Sequence, residues 1–124
     1  MNDLIFKTEA YEIIGACMEV HSYLGMGFNE VIYKDALEIE FQLRSIPYIR
    51  EKQFTVLYKE QPLDRIFFVD FWVYGKINLE VKAASFIAEE HIAQTLNYLA
   101  CSQQRLGLIA NFGEKSFVSK RIIL

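Results

Sequence analysis

The stretch Phe67–Lys82, FFVDFWVYGKINLEVK, most constrains what this chain can become. Two apolar runs meet at Tyr74-Gly75-Lys76, and Asp70, Glu80 and Lys82 are set into them. Short apolar runs bounded by a glycine turn predict two antiparallel strands. Asp70 stands five residues before Gly75 and Glu80 five after it. A hairpin centred on Gly75 therefore sets the two carboxylates opposite each other on one face. Directly opposed residues hold their Cβ atoms about 4.5–5.5 Å apart, where like charges repel. In an apolar sheet such a pair calls for a shared proton or a cation. Lys82 falls on the same face as Glu80, because side chains alternate along a strand.

This arrangement has two readings. In one, Asp70 and Glu80 offer oxygen ligands to Mg²⁺ or Mn²⁺, with the Val81 carbonyl as a further ligand. Lys82 then orients a water or stabilises developing negative charge. In the other, Lys82 makes an ordinary ion pair with Glu80 or Asp70. A one-residue slip of register would turn Asp70 away and remove the site.

The flanking segments supply the layers. Thr8 is expected to cap a helix running to about Leu24, with Glu9 and Glu12 in its first turn and Tyr11, Ile13, Ile14, Cys17 and Met18 at helical spacing. Gly25 and Gly27 break the chain, and a second helix is expected over about Asn29–Arg44, ending before Pro47. Tyr48–Tyr58 alternates like a strand, Glu60-Gln61-Pro62 reads as a turn, and Leu63–Val73 is apolar enough to predict a central strand covered on both faces. After Ile77–Ala83 come a third helix over about Ile87–Gln103, a short buried strand Leu106–Phe112, and a more exposed strand Ser116–Leu124. The passage from Ile77 to Phe112 is long enough for a parallel crossover. The expected order is ααβββαββ, a mixed α/β (α+β) sheet with helices packed on it, in a single domain over 1–124.

Further candidates lie on the helices. Glu30 and Tyr33, three apart, share a face of the second helix; Glu30 serves either as an acid at the site or as a carboxylate favoured by the helix start. Gln94 and Tyr98 form one stripe on the third helix, either positioning a substrate or making a polar flank. His21 and His91 have no second histidine at ligand spacing and are left outside the set. No glycine-rich phosphate loop or nucleophile elbow is present.

Charge and cysteines bound the function classes. The net charge of −3 argues against a bulk field that gathers polyanions, so any nucleic-acid contact has to come from a local patch. Cys17 and Cys101, in apolar helical contexts, are expected as free buried thiols in a reducing compartment. With no signal peptide pattern and no apolar run long enough to span a bilayer, a cytoplasmic protein without membrane contact is expected.

Together these pieces resemble the GxxExxY family, a branch of the PD-(D/E)XK nuclease-like superfamily. The naming motif stands as Gly27-Phe28-Asn29-Glu30-Val31-Ile32-Tyr33, and Ile13-Ile14-Gly15-Ala16, Glu19-Val20-His21 and Leu24-Gly25 are similar to the family's first helix. Asp70, Glu80-Val81-Lys82 and Gln94-Thr95-Leu96-Asn97-Tyr98 resemble the core acid, the E-x-K and the helical Q-xxx-Y. Gly107–Gly113 is also similar to the family. The resemblance implies a restriction-endonuclease-like core and a Mg²⁺-dependent nuclease, endo- or exonucleolytic, that hydrolyses a phosphodiester with a metal-activated water. It implies Asp70, Glu80 and Glu30 at the metal, Lys82 as catalytic lysine, and Gln94, Tyr98 and Tyr33 as supporting residues. Nucleic acid or a nucleotide would be the substrate. One departure is Phe67-Phe68-Val69 where the family commonly has an arginine before the aspartate. The alternative is a non-catalytic binding or assembly module, for which aromatic content and a C-terminal edge strand would suit a homodimer.

Overall fold

The computed structural model describes residues 5–124; the first four residues of the expected 1–124 domain lie outside it. The elements follow in the expected order: α1 (Lys7–Leu24), α2 (Glu30–Leu43), β1 (Tyr48–Tyr58), β2 (Gln61–Val73), β3 (Ile77–Lys82), α3 (Glu89–Ser102), β4 (Leu106–Asn111) and β5 (Val118–Ile123). The strands form one mixed sheet in the order β1-β2-β3-β4-β5, with β3 in the middle. The β3–β4 pair is parallel, joined through α3, and the other pairs are antiparallel.

The turn that centres the hairpin is built by backbone conformation. Tyr74 and Gly75 both have positive φ (58° and 67°), and the Lys76 amide donates to the Val73 carbonyl at 3.1 Å. Glycine takes this conformation freely, whereas Tyr74 carries some strain there. The ladder runs Val73↔Ile77, Trp72↔Asn78 and Phe71↔Leu79. One step further, the same register sets Asp70 across from Glu80, as the symmetry about Gly75 requires.

The sheet separates two cores. On one side Ile13, Cys17 and Val20 of α1 and Leu37 and Phe41 of α2 pack on Phe71, Leu79, Val81 and Leu108. On the other, Leu99 of α3 packs with Ile109 and Ile122. Fully burying side chains of this size stabilises by about 1.5–3 kcal/mol each, so the apolar stripes alone account for the helices' attachment.

Several expectations are corrected. Thr8 does not cap α1: the helix begins at Lys7 behind Phe6, which is left-handed (φ 53°) and makes no side-chain cap. Tyr11 and Met18 are exposed, because the buried stripe runs through Ala10, Ile13, Ala16, Cys17 and Val20 instead. The turn between β1 and β2 is Lys59-Glu60, both left-handed, so Gln61 and Pro62 already belong to β2. Nor is β2 covered along its length. It meets β3 only over Phe71–Val73, and the rest of it forms a ribbon with β1 that leaves Leu63, Ile66 and Phe68 exposed. Pro62 is tolerated there because β2 has a neighbour on one side only. Cys17 is buried and Cys101 half-buried, both free thiols; burial pushes the Cys17 thiol up, which keeps it inert.

Candidate active site

Asp70 lies where β2 and β3 stop exchanging backbone hydrogen bonds. Its side chain takes over the ladder there: Oδ2 accepts from the Val81 amide at 2.7 Å. Val81, expected to offer its carbonyl, thus meets Asp70 through its amide, with its side chain in the apolar core. Glu80, on the opposite face of β3 from Val81, is only 3% exposed, and its Oε2 has no hydrogen-bond partner. Burial first, and the charge of Asp70 second, push its carboxyl well above the usual carboxylate range; Lys82 offsets this only in part.

Lys82 ends β3 and sends its ammonium to Oε1 of Gln94 on α3 at 3.1 Å. Gln94 in turn donates to the Tyr98 hydroxyl at 3.4 Å, one helical turn on. The helix thus brings its stripe to the lysine as its spacing predicts. The Tyr98 hydroxyl is raised by burial and then by the charges of Glu80 and Asp70. Its ring stacks on Phe67 at 5.2 Å between centroids, so the segment that lacks an arginine before Asp70 contributes an aromatic wall instead. Glu30, exposed at the first turn of α2, reaches the Ala83 amide just beyond Lys82 at 3.4 Å.

Tyr33 does not reach this cluster. It is fully buried, stacks on Phe112 at 4.7 Å, donates its hydroxyl to the Gly25 carbonyl at 2.6 Å and accepts from the Phe28 amide. The expectation of a substrate-positioning role is therefore corrected to one in shaping the loop between α1 and α2. His91 is also structural: its Nδ1 accepts from the Ala88 amide at the start of α3.

Two site residues escape sequence reasoning, Lys34 and Glu51. Lys34 lies one turn after Glu30 on α2, and its ammonium bonds Asp70 Oδ1 at 3.0 Å and also Glu51 Oε1. Glu51 sits between Arg50↔Phe71 and Lys52↔Val69, which places it across from Asp70, and its φ is left-handed at 53°. Burial lowers the Lys34 ammonium, but Glu51 and Asp70 together hold it above its ordinary value. The i, i+4 spacing from Glu30 was the available signal for Lys34; Glu51 needed the β1–β2 register.

The donor chemistry fits a hard cation. Glu80 supplies a buried unpartnered oxygen beside a second carboxylate, and one or two carboxylates with water and substrate phosphate are the usual company of Mg²⁺. Among the described residues no group of three or more His, Cys, Asp or Glu side chains is placed to share an ion, so Glu30 is not gathered with the pair. Residues 7–122 match the family model of the PD-(D/E)XK nuclease superfamily. No curated protein and no solved structure matches the chain.

Proposed function

The chain belongs to the PD-(D/E)XK nuclease superfamily, and on that premise we propose that it is a Mg²⁺- or Mn²⁺-dependent nuclease working at Asp70, Glu80 and Lys82. The observation that carries the reading is the buried, unpartnered Oε2 of Glu80 beside Asp70, with Lys82 at the same strand end. A divalent cation held by Asp70, Glu80 and the Val81 carbonyl would supply Lewis acidity for phosphodiester hydrolysis. The chain's own residues do the positioning. Lys82 is aimed by Gln94 and offers its charge to a phosphate oxygen, while Tyr98 backs Gln94 and stacks on Phe67. Glu30 steadies the Ala83 amide and adds an acid at the rim. Burial and then the charge of Asp70 raise the Glu80 carboxyl, and the positive charges of Lys82 and Lys34 oppose them, as a bound cation would. Within the superfamily we place the chain in the GxxExxY branch, on Gly27, Glu30 and Tyr33. Among the described residues no helix is long and apolar enough to cross a membrane.

The test is cleavage of single-stranded, duplex and branched DNA and RNA with Mg²⁺ or Mn²⁺. Lys82→Ala is expected to lower the rate by about 100-fold or more, the scale on which a single positioned charge or proton donor acts. Cleavage undiminished in Lys82→Ala would place the chemistry elsewhere.

A second reading is favoured by one observation. Leu57, Tyr58, Leu63, Ile66 and Phe68 are exposed on the β1–β2 ribbon, a surface suited to self-association or a protein partner. A homodimer through this ribbon would serve a non-catalytic module as well as an enzyme. Sedimentation of the chain alone distinguishes monomer from dimer, whatever the cleavage assay gives.

A further inference from the structure

Lys34 has no place in the D…E-x-K pattern, yet it is the cation most tightly built into the carboxylate row. Only 12% of its side chain is exposed. Lysine is rarely buried to this extent unless its charge is paired. Here the ammonium lies between Asp70 Oδ1 and Glu51 Oε1. The register aligns Glu51, Asp70 and Glu80 across three neighbouring strands. The Lys34 ammonium bonds Glu51 and Asp70 but not Glu80, whose Oε2 is left without a hydrogen-bond partner. Asp70 has little coordination to spare, because Oδ2 already holds the Val81 amide. A cation seeking Asp70 therefore meets Lys34 at the same carboxylate. Glu51, about half exposed, is free to keep the ammonium alone.

We propose that Lys34 is a displaceable counter-ion of the Asp70/Glu80 site: a divalent cation displaces its ammonium from Asp70, and Glu51 retains it. This rests on the reading of Asp70 and Glu80 as a divalent-cation site and adds to it the residue that sets affinity. Lys34 is a positioning residue in this scheme; it moves no proton and touches no substrate.

The test is calorimetric titration of the whole chain with Mn²⁺ and with Mg²⁺, read independently of any cleavage. Lys34→Met should bind roughly tenfold tighter, the scale of losing one close competing charge pair. Lys34→Gln, which keeps length and polarity, should do the same if the methionine variant folds poorly. Glu51→Gln should weaken binding in the native background, because the displaced ammonium loses its second partner. It should have no effect once Lys34 is methionine, a non-additivity that direct coordination by Glu51 would not produce. Mg²⁺ should also raise the melting temperature of Lys34→Met by more than that of the native chain. If Asp70→Asn abolishes native binding but Lys34→Met binds no tighter, the counter-ion inference fails and the cation site stands. If neither the native chain nor Lys34→Met shows saturable binding, the cation site itself fails.

Discussion

Along β3, Ile77, Leu79 and Val81 enter a core closed by α1 and α2, while Asn78 and Glu80, hardly more exposed, lie on the other face toward α3. The side chains of the first set lie in the apolar core cluster. The second retains two buried oxygens without partners, Asn78 Oδ1 and Glu80 Oε2. Burial of apolar surface stabilises, whereas burial of an unpartnered polar group costs free energy. One strand therefore stabilises the fold on one face and holds uncompensated polarity on the other. The candidate chemistry lies on the costly face, beside the most strongly perturbed carboxylate in the described structure.

Three substitutions would break or sharpen this contrast. Leu79→Ala removes the centre of the apolar face and is expected to destabilise by about 2–5 kcal/mol in urea unfolding. Its divalent-cation affinity should stay within about twofold of native, since separate sites act additively. A larger change would mean that the two faces are coupled through the backbone.

Glu80→Gln tests the costly face by its pH dependence. Folding raises the Glu80 carboxyl above its ordinary 4.5, so folding favours the protonated form. That contribution to stability is complete below about pH 4.5 and is lost as pH rises through the folded-state value. Relative to Glu80→Gln, the native chain should therefore lose stability progressively above pH 4.5. Unfolding curves at stepped pH measure the difference; a pH-independent difference would argue that Glu80 is compensated by a partner after all.

The smallest effect is expected from Ser102→Ala. Ser102 Oγ accepts from Asn78 Nδ2 at 3.0 Å, and its loss should cost about 1 kcal/mol. Cation binding should be unaffected, because Asn78 is not among the candidate ligands. A loss of binding would extend the site along the strand.

Much of the fold was legible because it depends on short-range patterning. Apolar period and glycine breaks placed all eight elements in order, and the symmetry of Asp70 and Glu80 about Gly75 anticipated the hairpin register. Boundaries failed where local rules met tertiary contacts. Phe6 rather than Thr8 precedes α1, and Lys59-Glu60 turns the chain although neither residue favours positive φ. The apolar run in β2 concealed that most of the strand lacks a second neighbour, since composition does not report pairing. Tyr33 shows the same limit at the site. Its place in a motif beside Glu30 says nothing of depth, and the helix turns it into the core while Glu30 faces out.

The sequence by itself determined the mixed architecture and the pairing of two carboxylates and a lysine at one strand end, because strand alternation and turn position are local properties. Only the tertiary structure decided that Glu80 is sealed from water, that Gln94 and Tyr98 support Lys82, and that Lys34 of α2 and Glu51 of β1 meet at Asp70. Those are contacts between segments separated by 12 to 36 residues, and their electrostatic weight depends on burial, which no spacing encodes.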